Sequence, residues 1–245
     1  VDVGGLRFHC VNATAHGELD LTGALEQSCN CYFINAARAL GGQEILTMAY
    51  NLGFGTAQEF GRGLWTSSGD LPSLSGLENV RALANFSFGQ GDLTVTPLQL
   101  CAMMNAICSG GVYASPKLIE GVVNTQGELS PASSQEDVSR KAMSASTSQI
   151  LKAALVSAAQ EGTGQVAAPS NGTAGIKTGT AQTGVFQGEE ELLHFWYSGF
   201  VQGKDGVCYC ITVLKESAVS GQEDAAQVFQ EVAQGILALG DEKGN

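Results

Sequence analysis

Basic residues are scarce in this sequence, and their scarcity excludes one class of function. Lysine and arginine number 12 against 24 aspartate and glutamate residues, so the formal net charge is −12 at pH 7. A nucleic-acid-binding protein needs a basic surface that neutralises phosphates. The composition therefore predicts no nucleic-acid partner, although it still allows a local positive site around a single lysine.

Long apolar runs and an amino-terminal leader are also lacking. No run approaches the roughly 20 apolar residues that a membrane-spanning helix needs, and no secretory signal opens the sequence. The chain starts at Val1 rather than methionine and is already in mid-pattern at "GGLRFHC". We expect a piece of a longer polypeptide that is soluble by itself and whose remainder carries an anchor or signal.

Charged residues are few as well, which excludes a disordered chain. They make up 15% of the sequence, whereas hydrophobic residues make up 44%. A chain of 245 residues can bury one sizeable core, so we expect a single domain over residues 1–245. The 32 glycines have no collagen-like period and imply many turns and close backbone approaches.

The cysteines give no metal-binding spacing. The seven cysteines are residues 10, 29, 31, 101, 108, 208 and 210. Their close pairs are C-x-C, whereas zinc sites favour other spacings, and the pair in "GVCYCITVL" is best interpreted as small buried hydrophobes on one strand face. A metal site built from His9, Cys10, His16 and Cys29 is the less favoured interpretation. The sequence predicts no metal and no cofactor.

Apolar periodicity predicts helices first and strands later. We expect a helix pair over 20–41 and further helices over 43–52, 96–111, 146–161 and 221–239. Three strands are expected at "GIKTGTAQ", "HFWYSGFVQ" and "GVCYCITVLKE", the last two joined by the hairpin turn "GKDG". Residues 55–80 are expected to be exposed loop, and residues 124–142 show no clear period. The pattern predicts an α+β fold with helices packed on a mainly antiparallel sheet.

The segment "AGIKTGTAQ" places Lys177 in a run of small residues. It does not match a phosphate-binding loop, because Ile176 stands where that loop has glycine. On a strand, Lys177 and Gly179 would share one face and Thr178 and Thr180 the other. Such an edge suits an extended peptide or its carboxylate. From this segment alone, however, a plain edge strand with a solvated lysine is the favoured interpretation.

The second candidate segment is "EQSCNCYF", in which Ser28 and Asn30 lie between two predicted helices. Serine and asparagine are common caps and turn formers. A serine hydroxyl can also relay protons, and an asparagine side chain can hold an amide through its donor and acceptor. Neither segment is decisive alone.

In this order, the two segments resemble the transpeptidase domain of penicillin-binding proteins of the class B type, which serve cell division and sporulation. The resemblance covers roughly residues 8–216. It is weakest over residues 56–80, and the final helix fits it too. It is carried by "HGELDLTGALEQSCNCYFINAARALG", "GQGDLTVTPLQLCAMMNAICSGGVYASPKLI", "EGTGQVA", "AGIKTGTAQ" and "HFWYSGFV".

The resemblance implies roles for six residues. Ser28, Asn30 and Lys177 would be catalytic: Ser28 would relay a proton, Asn30 would bind the acyl-side amide, and Lys177 would keep the site positive. Thr178 and Thr180 would bind the terminal carboxylate of the substrate, and the Thr180 N–H would form half of an oxyanion hole. Gly179 would let the substrate strand approach. The implied reaction is acyl transfer from a D-alanyl-D-alanine stem peptide, which β-lactams mimic.

The nucleophile of that family, the serine of S-x-x-K, is absent from the sequence. A serine three residues before a lysine places both on one helix face, yet no lysine here has one; those positions hold Ala114, Val138, Gln149, Ala174, Val201, Thr212 and Gly240. In the family, S-x-x-K lies upstream of the S-x-N segment, farther than the 27 residues before Ser28 provide. We therefore expect the carboxyl-terminal part of a transpeptidase domain, which is inactive as a fragment. Its missing upstream strands would leave an exposed sheet edge and favour self-association.

Other interpretations stay open at this point. A β-lactam sensor domain and a catalytically inactive cell-wall scaffold share these motifs, whereas a class D β-lactamase fits the segment around 92–111 less well. The expected partners are the peptidoglycan stem peptide and β-lactams. The expected location of the whole protein is the extracytoplasmic face of the bacterial membrane, to which it would be anchored. The upstream sequence would separate the three interpretations.

Overall fold

The computed structural model describes residues 1–10, 15–61, 63–119, 121–131, 138–204, 206–218 and 222–242. The helices within these ranges are α1 (Leu21–Glu26), α2 (Asn30–Leu40), α3 (Gly42–Asn51), α4 (Val80–Ser87), α5 (Pro97–Cys108), α6 (Ala145–Gln160) and α7 (Gln222–Glu242). The strands are β1 (Asp2–Val3), β2 (Leu6–Arg7), β3 (Glu59–Gly61), β4 (Leu64–Trp65), β5 (Val112–Ala114), β6 (Gly121–Val123), β7 (Leu129–Pro131), β8 (Ser139–Lys141), β9 (Thr173–Gln187), β10 (Glu190–Gln202) and β11 (Cys208–Ala218). The α+β prediction is confirmed.

The main sheet is antiparallel and has the strand order β11-β10-β9. Its register places Lys177 opposite Ser198 and Gly179 opposite Trp196. The meander expected from the sequence is therefore present. The strand that carries Lys177 is longer than expected, because β9 and β10 continue as an exposed ribbon. Because this ribbon is largely exposed, its sequence lacks the alternation of apolar and polar residues that indicates a strand.

Helices cover both faces of this sheet. Helix α7 packs on one face, where Phe229 and Ala233 meet Ile176, Tyr197 and other buried residues. Helices α5 and α6 supply Met104, Ile107 and Leu155 to the cluster on the other face, together with Phe200. Fully burying a side chain such as Phe229 contributes about 1.5–3 kcal/mol. Because helices cover both faces of the sheet, packing holds its edge strand β9 in place.

The cysteine pair of β11 lies partly buried in the α5 side of the core. Cys208 and Cys210 pack against the cluster that contains Met104 and Phe200. The Cys101 thiol donates to the Cys210 carbonyl oxygen at 3.4 Å. Packing with apolar neighbours agrees with the interpretation of the pair as small hydrophobes.

Local signals account for the helix starts. Pro97 begins α5, and Thr96 and Gln99 form a reciprocal capping box in front of it. The Ser144 hydroxyl accepts from the Thr147 N–H at the start of α6. The stretch predicted as exposed loop is only partly so: β3 and β4 form a short hairpin, and Leu77 is buried with Leu46 and Leu83. Strands as short as β3 and β4 contain too few residues to show a periodic pattern in the sequence.

Candidate active site

The turn between α1 and α2 presents Ser28 in an unusual conformation. Ser28 has φ +50°, a left-handed backbone that costs a non-glycine residue about 1–2 kcal/mol. Two hydrogen bonds hold the turn: the Ser28 N–H donates to the Leu25 carbonyl at 3.3 Å, and the Cys29 N–H donates to the Ala24 carbonyl at 2.9 Å. The strain is thus maintained by its surroundings, as is common at functional sites.

Lys177 reaches this turn from strand β9. Its Nζ donates to the Ser28 Oγ at 2.8 Å and to the Thr178 carbonyl oxygen at 2.9 Å. Burial lowers the pKa of Lys177 from 10.5 to about 8, because the charged ammonium loses contact with water. Two residues 149 positions apart in the chain therefore form one polar pair, in which the lysine is charged at neutral pH but close to its titration range.

The six predicted site residues line one cleft of about 1220 Å³. They are Ser28, Asn30, Lys177, Thr178, Gly179 and Thr180. Thr178 and Thr163 share a hydrogen bond between their hydroxyls at 3.1 Å. A Cβ built on Gly179 would meet only the Trp196 side chain, at 3.5 Å from its Cβ and 4.0 Å from its Cδ1. Packing therefore does not require the glycine, which leaves its strand face open to the cleft. The edge of β9 thus offers a cation, hydroxyls and an accessible backbone.

An apolar cavity of about 710 Å³ borders the same strand. It shares the segment 177–180 with the polar cleft, and its apolar lining includes Leu40, Met48, Met103, Met104 and Trp196. Sequence reasoning did not identify this cavity. The available signal was α5, whose apolar residues at 98, 100, 101, 103, 104 and 107 cover more than one helix face.

A contact between α1 and the loop after α6 positions the Ser28 turn. The Thr163 N–H donates to the Glu26 carbonyl oxygen at 3.0 Å, and the Ser157 hydroxyl donates to the Glu26 carboxylate. A Cβ on Gly162 would lie 2.5 Å from the Glu26 carbonyl oxygen, so only glycine allows this approach. These residues were not assigned a role from the sequence, because the pairing with Glu26 is a long-range contact. The glycine-rich "EGTG" before β9 was the one available signal.

Comparison with known proteins places this chain and its fold in a class of cell-wall proteins. The family model described as "Penicillin binding protein transpeptidase domain" matches residues 4–234. The chain therefore belongs to the penicillin-binding protein transpeptidase family, as its resemblance predicted.

Relatives and solved structures agree with this assignment. Stage V sporulation protein D of Bacillus subtilis is 30% identical over 183 residues, which is 74% of this chain and 28% of that protein. Penicillin-binding protein PbpB of Mycobacterium tuberculosis is 31% identical over 192 residues, 74% of this chain and 27% of that protein. The chain thus spans less than a third of the length of these two relatives.

Among solved structures, penicillin-binding protein 3 of M. tuberculosis, complexed with aztreonam, has a TM-score of 0.83 at 24% identity. That match covers 98% of this chain and 56% of the other. The D,D-transpeptidase domain of a peptidoglycan glycosyltransferase from Eggerthella lenta has a TM-score of 0.82 at 22% identity, covering 98% and 58%. At these identities, the two structures establish the fold.

Proposed function

We propose that this chain is part of a single domain of a serine-type peptidoglycan D,D-transpeptidase. The observation that carries the proposal is the 2.8 Å hydrogen bond from Lys177 to Ser28 within a cleft that Asn30 and the edge of β9 also line. Relatives named peptidoglycan D,D-transpeptidases support the reaction type.

In the proposed reaction, a serine oxygen attacks the carbonyl carbon of the penultimate D-alanine. The bond to the terminal D-alanine breaks, the serine proton reaches the departing amine, and an acyl-serine ester remains. An amine of a neighbouring stem then attacks the ester and releases the serine with its proton. Ser28 would relay protons, and Asn30 would bind the acyl-side amide. Lys177 would keep the site positive and support the proton network, and Thr178 and Thr180 would bind the terminal carboxylate. The Thr180 N–H would stabilise the oxyanion, with Gly179 leaving room for the peptide.

We propose that the nucleophile comes from a segment outside residues 1–245. No lysine of the chain follows a serine by three residues, which the S-x-x-K arrangement requires. The apolar cavity beside Lys177 supports this proposal, because an apolar helix that filled it would bring its polar end to the cleft.

The intact mass of the protein after incubation with benzylpenicillin tests this proposal. We expect no covalent adduct on the 245-residue chain and a stoichiometric adduct on the natural protein that contains it, because the acylated serine lies outside the chain. The Ser28→Ala variant of the chain is the control. An adduct on the chain that disappears in this variant would make Ser28 the nucleophile and contradict the proposal.

A second assay separates the enzyme from the two other interpretations. We expect the natural protein to release D-alanine from a stem pentapeptide and to transfer the acyl group to an amine. A penicillin adduct without D-alanine release would indicate a β-lactam sensor. Absence of both would indicate an inactive scaffold.

Location follows from the substrate in the same proposal. The stem peptides of peptidoglycan lie outside the cytoplasm, so the whole protein would work at the extracytoplasmic face of the membrane, to which it would be anchored. Within the part of the chain that the structure describes, no helix combines the length and apolar character of a membrane span.

The free edge of β11 supports self-association of the 245-residue chain. This strand pairs with β10 on one side, and no described strand pairs with its other side. Exposed edges template pairing with another chain, and an edge lysine opposes it. Light scattering should give a concentration-dependent mass above 25.4 kDa, reduced by the edge substitution Tyr209→Lys. A monodisperse monomer at all concentrations would contradict the prediction.

A further inference from the structure

Two cysteines and a histidine meet next to the Ser28 turn. The Sγ atoms of Cys10 and Cys29 and a ring nitrogen of His16 all lie within 4.8 Å of one another. The two sulfur atoms are 3.6 Å apart, and the side chains of Cys10 and Cys29 are 4% and 6% exposed. The sequence left a metal site of His9, Cys10, His16 and Cys29 as the less favoured interpretation, and the structure brings three of these four residues together.

The histidine carries an independent indication of a ligand. His16 Nδ1 is buried and has no hydrogen-bond partner among the residues that the structure describes. A buried polar atom without a partner destabilises a fold, so native proteins rarely leave one. The lone pair of an imidazole nitrogen is also a common metal ligand. A cation bound by the two sulfurs and the imidazole would give this buried side chain a polar partner.

The donor set and its spacing select the metal. Zinc binds thiolate sulfur at about 2.3 Å and imidazole nitrogen at about 2.0–2.1 Å in a tetrahedron, which separates two coordinating sulfurs by about 3.8 Å. The 3.6 Å sulfur separation is close to that value. Soft thiolates with imidazole favour zinc over magnesium or calcium, which prefer oxygen ligands. We propose that Cys10, His16 and Cys29 bind a zinc ion, with the fourth coordination position taken by water or a further ligand.

The position of this site gives it a structural role. Cys29 lies between Ser28 and Asn30, in the turn whose left-handed residue needs support. A zinc ion would join that turn to the segment that contains Cys10 and His16, and would hold the Ser28 hydroxyl toward Lys177. The zinc would thus position the turn and would take no part in acyl transfer.

Cys31, two residues after Cys29, provides a matched control outside the group of three. Its Sγ lies 3.8 Å from the amino group of Val1 and 4.0 Å from the Phe8 carbonyl oxygen. It is outside the group of three ligand atoms that lie within 4.8 Å of one another. A serine at position 31 should therefore leave metal binding intact.

Metal binding by the natural protein, purified with its thiols reduced and stripped with a chelator, tests the site. Titration with zinc chloride against a chromophoric chelator should give about one zinc ion per chain. Cobalt(II) should give the thiolate-to-cobalt charge-transfer band and the visible bands of a tetrahedral site. Cys10→Ser, His16→Ala and Cys29→Ser should each lose stoichiometric binding, whereas Cys31→Ser should keep it.

Thermal unfolding adds a readout that does not depend on activity. Since a ligand that binds only the folded state stabilises it, a chelator should lower the Tm of the wild-type protein and leave that of Cys29→Ser unchanged.

Absence of zinc and cobalt binding in the reduced wild-type protein would overturn the proposal, and so would equal loss of binding in Cys31→Ser. A third result would also overturn the proposal: the purified protein contains a Cys10–Cys29 disulfide and, after that disulfide is reduced, still binds no metal. The two cysteines would then form a redox pair and not a zinc site. The cobalt spectrum of the wild-type protein tests for the tetrahedral site even if one of the variants fails to fold.

Discussion

Replacing Lys177 by alanine in the natural protein is expected to slow acylation by benzylpenicillin by about 10²–10³-fold. Losses of this size accompany removal of one preorganised donor from an active site. The lysine is the cation that contacts Ser28, at 2.8 Å, and it lies on the strand edge proposed to bind the carboxylate of the antibiotic. Stopped-flow measurement of the acylation rate constant, with the Tm of each protein, checks the prediction.

The pH dependence of acylation should report the same group. Burial lowers the pKa of Lys177 to about 8, so the side chain loses its charge as the pH rises through that value. Acylation by a carboxylate-bearing β-lactam should therefore decline above pH of about 8, and Lys177→Ala should lack this decline.

The stability of the fold should change in the opposite direction. In the unfolded chain, the Lys177 side chain keeps its proton up to its ordinary pKa of 10.5, whereas in the folded chain it loses that proton near pH of about 8. The free energy of unfolding should therefore rise with pH between these two values.

Lys141 offers a matched control for this experiment. It is an exposed lysine on β8 and does not line the cleft. Lys141→Ala should leave both the acylation rate and its pH profile unchanged. An unchanged rate in Lys177→Ala would remove Lys177 from the proposed mechanism, and an equal loss in Lys141→Ala would indicate a general charge effect.

Removing the Ser28 hydroxyl is expected to slow acylation by about 10²-fold, the lower range for loss of a proton relay. Two substitutions separate this effect from stability. Ser28→Ala and Ser28→Gly both lack the hydroxyl that accepts from Lys177. Glycine adopts φ +50° without the cost that alanine incurs there, so Ser28→Gly should be more stable than Ser28→Ala by about 1–2 kcal/mol.

Urea unfolding and acylation kinetics of the two variants distinguish a chemical role from a folding role. Equal acylation rates with unequal stabilities would support a proton relay at Ser28. If the rate recovered in Ser28→Gly together with the stability, the residue would serve the shape of the turn, and its proposed role as a relay would be wrong.

Much of the fold could be predicted because local patterns specify it. Helix α5 begins with Pro97 and has a capping box, and β10 and β11 are joined at a recognisable hairpin turn. Apolar periodicity marks α6 and α7 in the same way. The order of the Ser28 and Lys177 segments was sufficient to identify the family that the comparisons confirmed. The elements, and each of the two segments by itself, depend on residues within one turn or strand of each other, so the sequence contains them directly.

Long-range contacts were not predictable by the same reasoning. The Glu26 contact with the loop at 162–163 and the cavity beside Lys177 both join segments that are distant in the chain. The ribbon formed by the ends of β9 and β10 has no buried face, so it lacks a periodic signal. The grouping of Cys10, His16 and Cys29 depends on how the chain before α1 folds back on the Ser28 turn.

The sequence by itself determined the class of fold, the positions of the main helices and strands, and the two segments that line the candidate site. Only the tertiary structure decided that Lys177 reaches Ser28 at 2.8 Å, that burial lowers its pKa to about 8, and that the side chains of Cys10, His16 and Cys29 converge beside the turn. The physical reason is that periodicity and capping act between near neighbours. Burial, pKa and coordination depend on atoms that only folding brings together.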